Sequence, residues 1–600
     1  VPVVVPPSND DSKDHFITFK EWRYKLPAPF TVYADFEALL KQPRGEANPN
    51  VFSKHKPVAW AYYIQCHYDI HRNYKGAGGR PLSEVRTYCG PNAIHQFLES
   101  LAHDAEICEG IVKNLEHSKY RGEIPFEYLE ADTCHICGKQ GFDRLDPKKF
   151  KVLDHDHITG LYRGAAHMNC NFQYYSAKNW RLPVFFHNLK GYDGYHILKG
   201  LEGYVNSVEN MNCIARSLDK FTSFQIDNMR FSDSNQFLLG TLDANVEGLK
   251  KGLTLEQMKE AFEPVVTHYG IKDDDEKFNL LMGKGVYPYE YMDNKQVMKE
   301  NKLPPKEAFF SNLQGKGITD EDYERARLCF EKFGCKNLED YTMLYVVLDV
   351  LQLASCFEKL RRTCLKPGGL ELDPAHFITA PSLSWSAMLL HACFKNDIRI
   401  ENMTDLEMMF MTQKGVRGGM CMVMNPRLVT APKRKGFYWD ANNLYGWAMS
   451  QPLPIGDYRW EKQIDHPSPR LDDLGEELLL STDNVEQDLP TQSQNLSMVE
   501  EYELWHREDV ESIADAIMTM DTDGERGYVL EVDVEYPKGL HDGHNDFPFF
   551  PQKKACDPSP YTLEQMKRVY SHYNGSDKLP AGGQKLVLGL TDKKEYVVHF

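Results

Sequence analysis

Two metal-ligand pairs, Cys134-x-x-Cys137 and His167-x-x-Cys170, lie thirty residues apart in a chain of 600 and constrain its folding more than any other feature. Two residues on a tight knuckle can offer two soft ligands to one tetrahedral Zn²⁺, so the spacing predicts a small module closed by Cys134, Cys137, His167 and Cys170. A module of about forty residues has too little core to stand without its metal. The other cysteines of the fourteen are mostly isolated, which argues against a disulfide framework and for a reducing, intracellular compartment, with nucleus and mitochondrion both open. The full length calls for roughly three or four domains of about 150 residues. No uncharged apolar run approaches the roughly 18 residues that span a bilayer, and no signal-peptide pattern opens the chain, so no membrane partner is expected. The sequence starts at Val1 and ends at Phe600 in a strand-like run, and is expected to be a fragment at both ends.

The formal net charge of −18 argues at first against a polyanionic partner. Residues 471–525 hold 8 Asp and 9 Glu against Arg507, a net −16 that leaves −2 for the other 545 residues. That acidic tract reads as an insertion or linker, and the remainder is close to neutral.

A second set of motifs is acidic. Phe30-Thr31-Val32-Tyr33-Ala34-Asp35-Phe36-Glu37 alternates like a half-buried strand and puts Asp35 and Glu37 on one face. Val184 to Asp193 reads as a buried strand, a turn, and an Asp at the start of a helix, a position that a simple helix cap would also explain. Asn337 to Cys364 reads as a long helix in which Tyr345 and Asp349, spaced i,i+4, share a face. Together, Asp35, Glu37, Asp193 and Asp349 are the ligands that a two-metal phosphodiesterase needs for Mg²⁺ or Mn²⁺, with Tyr345 placed to orient or help activate water.

The ordered pattern D-x-E, N-x-x-x-Y-D, Y-x-x-x-D resembles the proofreading 3′→5′ exonuclease of family B DNA polymerases, on an RNase H-like α/β fold. The resemblance implies that Asn188, Thr241 and Leu242 contact a frayed single strand and that Lys284, in Lys284-Gly285-Val286-Tyr287, contacts the scissile phosphate. Gly436 to Gly446, with Asp440 at the end of a strand and Leu444-Tyr445 after it, is similar to polymerase motif A of the protein-primed branch (phages, adenoviruses, linear plasmids, Maverick/Polinton-like transposons), with Asn443 and Gly446 departing from the usual form. By that likeness Asp440 binds the catalytic metals with a dNTP, and Leu444 and Tyr445 line the nucleotide site, the Tyr445 ring excluding a ribose 2′-OH. Val416-Arg417-Gly418-Gly419 resembles half of the linker motif between the two activities. No nucleotide-binding helix or D-T-D-S follows, and Asp521-Thr522-Asp523-Gly524 is a decoy within the acidic tract, so this length of chain is expected to show at most nuclease activity.

Between the Cys and His pairs, Asp154-His155-Asp156-His157, Thr159-Gly160, Arg163-Gly164 and Cys170-Asn171 resemble the ββα-metal HNH nucleases of the endonuclease VII type. That likeness implies Asp154 and Asn171 as ligands of a catalytic cation and His155 as the base. A hard cation takes carboxylate and amide oxygens, and a neutral imidazole accepts a proton near pH 7. A zinc-stapled DNA-gripping insert without turnover explains the same residues.

The expected organisation is a multidomain α/β and α+β chain. Residues 1–130 open the exonuclease, 131–175 form the zinc insert, 176–370 complete the exonuclease, and 371–600 form a linker and partial palm carrying the acidic insertion. Expected partners are DNA (single-stranded 3′ ends and primer-template), dNTPs and a terminal priming protein. A free-standing or HNH-type nuclease and a non-catalytic DNA-binding relic of a transposable element remain the alternatives.

Overall fold

The computed structural model describes residues 15–41, 53–116, 120, 122–174, 180–201, 211–217, 220–283, 285–312, 315–396, 398–419, 439–460, 515, 517, 519, 524, 526–545, 547–555, 563–565, 567–568 and 584–599. The chain divides into two compact units, Thr18–Ile398 and Val1–Ile17 with Arg399–Phe600.

The first unit is organised by the strand Phe30–Lys41, which is buried on both faces. Its alternation sends Phe30, Val32, Ala34 and Phe36 into a core shared with Phe97, Leu98 and Leu101 of the helix Ala93–Glu116. Tyr33 points the other way, into a core shared with Val346, Val350 and Leu351 of the helix Leu338–Leu365. Asp35 and Glu37 therefore stand on the long helix's side of the sheet. The seven-stranded mixed sheet runs Arg86–Cys89, Lys54–Cys66, Phe30–Lys41, Leu182–Phe186, Met229–Asp233, Lys220–Ile226, Met211–Ser217. Leu182–Phe186 is parallel to both of its neighbours, Phe30–Lys41 and Met229–Asp233, and the other pairs are antiparallel. Such a central parallel strand is covered on both faces and reads as a continuous apolar run, as Leu-Pro-Val-Phe-Phe does.

The long helix begins where the sequence signals it: the Asn337 side chain accepts from the Asp340 amide and caps its N-terminus. Its other end is fixed by a buried charged network. Tyr33 Oη donates to Glu358 Oε1 at 2.6 Å, and Arg361 Nη1 donates to the same oxygen at 2.7 Å. Arg361 grips Asp373 with two donors, Nε to Oδ1 at 2.9 Å and Nη2 to Oδ2 at 2.6 Å, and Nη2 also donates to the Ala28 carbonyl. Asp373 accepts in addition from the Ala28 and Ala375 amides. Burial acts to raise the Asp373 carboxyl, but the Arg361 guanidinium overcomes it and holds the group far below the usual carboxylate range. This pairing also binds residues 371–398, expected to lie in a linker, to the first unit.

Within the insert, Lys151–His155 and Tyr162–His167 form an antiparallel hairpin followed by the short helix Met168–Tyr174. In the second unit, Val529–Val534 pairs with Lys593–His599 and Gln552–Ala555 with Gln584–Val587, each pair antiparallel. Among the described residues no helix is long and apolar enough to cross a membrane.

Because Arg361 pairs with both Glu358 and Asp373, Arg361→Ala leaves two buried carboxylates without their cation and should cost about 3–5 kcal/mol in denaturant unfolding at pH 7. The Asp373 share of stability is present above its unfolded pKa of about 3.9 and is lost as pH falls below it. An Arg361→Ala variant as stable as the native chain would contradict the network's role.

Candidate active site: four carboxylates around one strand end

Three separate elements bring carboxylates to one place. Asp35 and Glu37 come from the Phe30–Lys41 strand, Asp193 from the first position of the helix Asp193–Lys199, and Asp349 from the middle of the long helix. Burial raises all four, and charge on one raises the next: Asp35 acts on Glu37, Asp193 and Asp349, while Asp349 and Asp193 act on Glu37. Asp35 itself is pushed up to about 7 by burial, against a backbone hydrogen bond from Phe36. Among the described residues no Lys or Arg forms an ion pair with any of them. Asp193 is buried and its Oδ1 has no hydrogen-bond partner. Crowded acids, one with an unpartnered oxygen and none with a basic partner among the described residues, fit a polyvalent counter-ion, and carboxylate oxygens suit Mg²⁺ or Mn²⁺. No three of these groups bring oxygens within 4.8 Å of one another.

Tyr345 lies one turn before Asp349 and offsets part of that group's upward shift by hydrogen bonding. Its hydroxyl is 3.1 Å from that of Tyr289, and its ring is 5.1 Å from the Tyr287 ring. Gly285 passes directly over the Tyr345 ring, where an added Cβ would come within 2.9 Å of it. Sequence reasoning missed Tyr289, whose signal was the aromatic spacing of Tyr287-Pro288-Tyr289 after Lys284-Gly285. Tyr192, also missed, accepts or donates at 2.8 Å to His55 Nδ1 and is raised by burial and by Asp193, Glu37 and Asp35. Asn188 is exposed at the turn before Asp193 with φ of 69°. Thr241 serves as the N-cap of the helix Leu242–Lys250, accepting from the Ala244 amide, and Leu242 is half-buried beside it. Asp243, next in sequence, is a further acid acting on Asp349. Lys284 lies outside the described residues, as do Gly436 to Tyr438, Asp521 to Asp523 and most of the acidic tract.

Cys134, Cys137, His167 and Cys170 are assembled, with their ligand atoms all within 4.8 Å. His167 Nδ1 faces the sulfurs of Cys137 at 3.4 Å and Cys170 at 3.8 Å, while Nε2 lies 3.3 Å from the Gly141 carbonyl oxygen. The thiols contest one another's protons through mutual hydrogen bonds: Cys134 is driven down, Cys137 and Cys170 up. Three sulfurs and one imidazole, its second nitrogen held by a carbonyl, form a donor set that fits tetrahedral Zn²⁺. Beside it, Asp154 is fully buried but engaged, at 2.9 Å from both His135 Nε2 and Arg163 Nη2. Burial tends to raise it, yet the His135 hydrogen bond and the Arg163 charge hold it below the ordinary range. His155 Nε2 and Asn171 Oδ1 are buried without partners. His135, missed in the sequence because it sits inside the C-x-x-C, reaches Asp154 only because Gly164 presents no Cβ, which would come within 2.5 Å of its ring.

In the second unit, Asp440, Leu444 and Tyr445 are exposed around the helix Leu444–Met449. Arg417 stacks on Tyr596 at 3.9 Å and donates to the Val597 carbonyl.

Residues 264–485 match the profile of DNA polymerase type B, organellar and viral, a stretch holding Tyr289, Tyr345, Asp349 and Asp440 but not Asp35, Glu37, Asp193 or the insert. Over 263 residues, 38% of this chain, it is 24% identical to a DNA polymerase of Human adenovirus A serotype 12. The chain spans about a quarter of that relative's length, 24%. No solved structure matches.

Two outcomes follow from this chemistry. With Asp35 near 7 when folded and about 3.9 when unfolded, the folded chain holds the extra proton, so this contribution is present below about pH 4 and lost as pH rises through 7. Metal-free protein should therefore lose melting temperature between pH 5 and pH 8 more steeply than Asp35→Asn does, and Mn²⁺ should recover the loss at pH 8; parallel profiles for the two proteins would count against the crowding. Elemental analysis of protein purified without chelator should give one zinc per chain, lost in Cys134→Ser, and zinc-free native protein would exclude the assignment.

Proposed function

We propose that this chain is part of a protein-primed type B DNA polymerase and that its Thr18–Ile398 unit is a 3′→5′ exonuclease on an RNase H-like fold. The observation that carries the reading is the convergence of Asp35, Glu37, Asp193 and Asp349, with no basic partner among the described residues. The type B match over residues 264–485 supports it independently, since it includes Tyr345 and Asp349. In this reading the four carboxylates hold two divalent cations, which when bound supply Lewis acidity to the attacking and leaving oxygens. Tyr345, steadied by Tyr289, orients the water. Asn188 presents its amide to the last nucleotides of a single strand, and Lys284 neutralises the scissile phosphate. Asp440 with Leu444 and Tyr445 would belong to a polymerase site that takes primer-template and dNTPs, with a terminal protein as primer.

The insert supports a second reading. His155 Nε2 and Asn171 Oδ1 lack partners, as a cation site or a base awaiting its water would require. Arg163 and His135 already satisfy Asp154, which favours a zinc-stapled DNA-gripping module over an HNH nuclease.

With Mn²⁺ or Mg²⁺ the purified chain should shorten single-stranded DNA from its 3′ end, and Asp35→Ala with Glu37→Ala should abolish this. Asn188→Ala should raise KM by about threefold to tenfold, the worth of one hydrogen bond, with kcat little changed. Degradation that survives the double substitution would remove the assignment.

A further inference from the structure

The four carboxylates are not the only acid at this strand end. Asp233 closes the strand Met229–Asp233, in register with Phe186 at the end of the parallel neighbour Leu182–Phe186. It is 1% exposed. Beyond Phe186 the chain leaves the ladder and turns toward Asp193, so the next amides lose their strand partners. Asp233 takes them: Oδ1 accepts from Asn188 N at 2.9 Å and Oδ2 from Lys190 N at 3.2 Å. Oδ1 also accepts from Asn235 N at 3.0 Å, which fixes the carboxylate's own orientation. The adjacent Ser234 hydroxyl donates to the Phe186 carbonyl and lies 3.0 Å from His187 Nδ1, while His187 Nε2 reaches the Gly240 carbonyl at 2.9 Å.

We propose that Asp233 is a positioning residue for the turn from Asn188 to Asp193, setting both the strand-contacting amide and the metal-binding carboxylate without itself binding metal or DNA. The inference rests on the exonuclease reading. Asn188 sits at φ of 69°, a left-handed conformation that a non-glycine residue keeps only when its surroundings hold it there. Two of the amides that define the turn are held by this one carboxylate. Asp193 follows three residues after the second of them, and the turn closes through Gly194 N to the Leu189 carbonyl at 2.9 Å. At Gly194 a Cβ would stand 2.8 Å from that carbonyl, so the turn has no slack to absorb a shift at Asn188. A neutral acceptor is a weaker substitute, because charge-assisted hydrogen bonds from amides to a carboxylate are the stronger kind.

The test compares the full chain carrying Asp233→Ala, Asp233→Asn or Ser223→Ala. Ser223 is buried in the same sheet and donates to the Phe231 carbonyl at 2.7 Å, so it controls for lost stability alone. Amide exchange across residues 186–195 and steady-state hydrolysis of a 3′-labelled single-stranded oligonucleotide with Mn²⁺ are measured. Asp233→Ala should speed exchange in this segment, raise KM and lower kcat, each by at least about tenfold, since a misplacement of 1 Å can cost more. Asp233→Asn, which keeps one acceptor, should fall between Ala and native, and it carries the comparison if the Ala variant does not fold. Native exchange and native kinetics in folded Asp233 variants, or the same losses in Ser223→Ala, would overturn the inference. Native protein that hydrolyses no DNA would instead overturn the exonuclease reading, while the exchange data still decide whether Asp233 holds the turn.

Discussion

Mutual repulsion among Asp35, Glu37, Asp193 and Asp349 is the constraint around which the first unit is built. Left alone, such groups would swing apart or draw in lysines and arginines, because burying like charges together opposes folding. Here the backbone prevents the first: two acids are fixed by a strand inside a seven-stranded sheet, one by the start of a helix, and one by the middle of a 28-residue helix. Among the described residues the second does not occur, since the neighbours that act on the acids are tyrosines, Tyr192, Tyr287, Tyr289 and Tyr345. Aromatic rings exclude water and carry a hydroxyl, so they harden the field between the acids without neutralising it.

Holding a helix against such a site requires an anchor elsewhere. The Tyr33, Glu358, Arg361 and Asp373 network supplies one, with each of the three guanidinium nitrogens donating to a buried acceptor. Tyr33 lies two residues before Asp35 on the same face of the strand, and Glu358 nine residues after Asp349 on the same helix. The strand and helix that present Asp35, Glu37 and Asp349 are thus tied by a charged network a few turns away, an arrangement whose value lies in fixing one geometry.

How far the sequence reveals this depends on the range of each interaction. The alternation of Asp35 and Glu37 and the i,i+4 spacing of Tyr345 and Asp349 are local, so strand and helix were legible with their shared faces, and the cysteine and histidine pairs were legible from ligand spacing alone. Asp233, which meets the Asn188 turn across forty-five residues, and Tyr192, which meets His55 across 137, leave no local trace. Thr241, which the resemblance implies as a contact to single-stranded DNA, also has a local role legible from sequence: its hydroxyl oxygen caps the helix that follows it. His135 and Arg163 on Asp154 likewise depend on the hairpin pairing, which no spacing rule contains.

Whether the crowded acids take up two cations is read from Mn²⁺ binding by electron paramagnetic resonance. The native chain should bind a spin-coupled pair of Mn²⁺ ions, roughly 4 Å apart, that disappears in Glu37→Gln with Asp349→Asn while the protein stays folded. Native protein that binds no coupled pair, or a pair that persists in the double variant, would contradict the account.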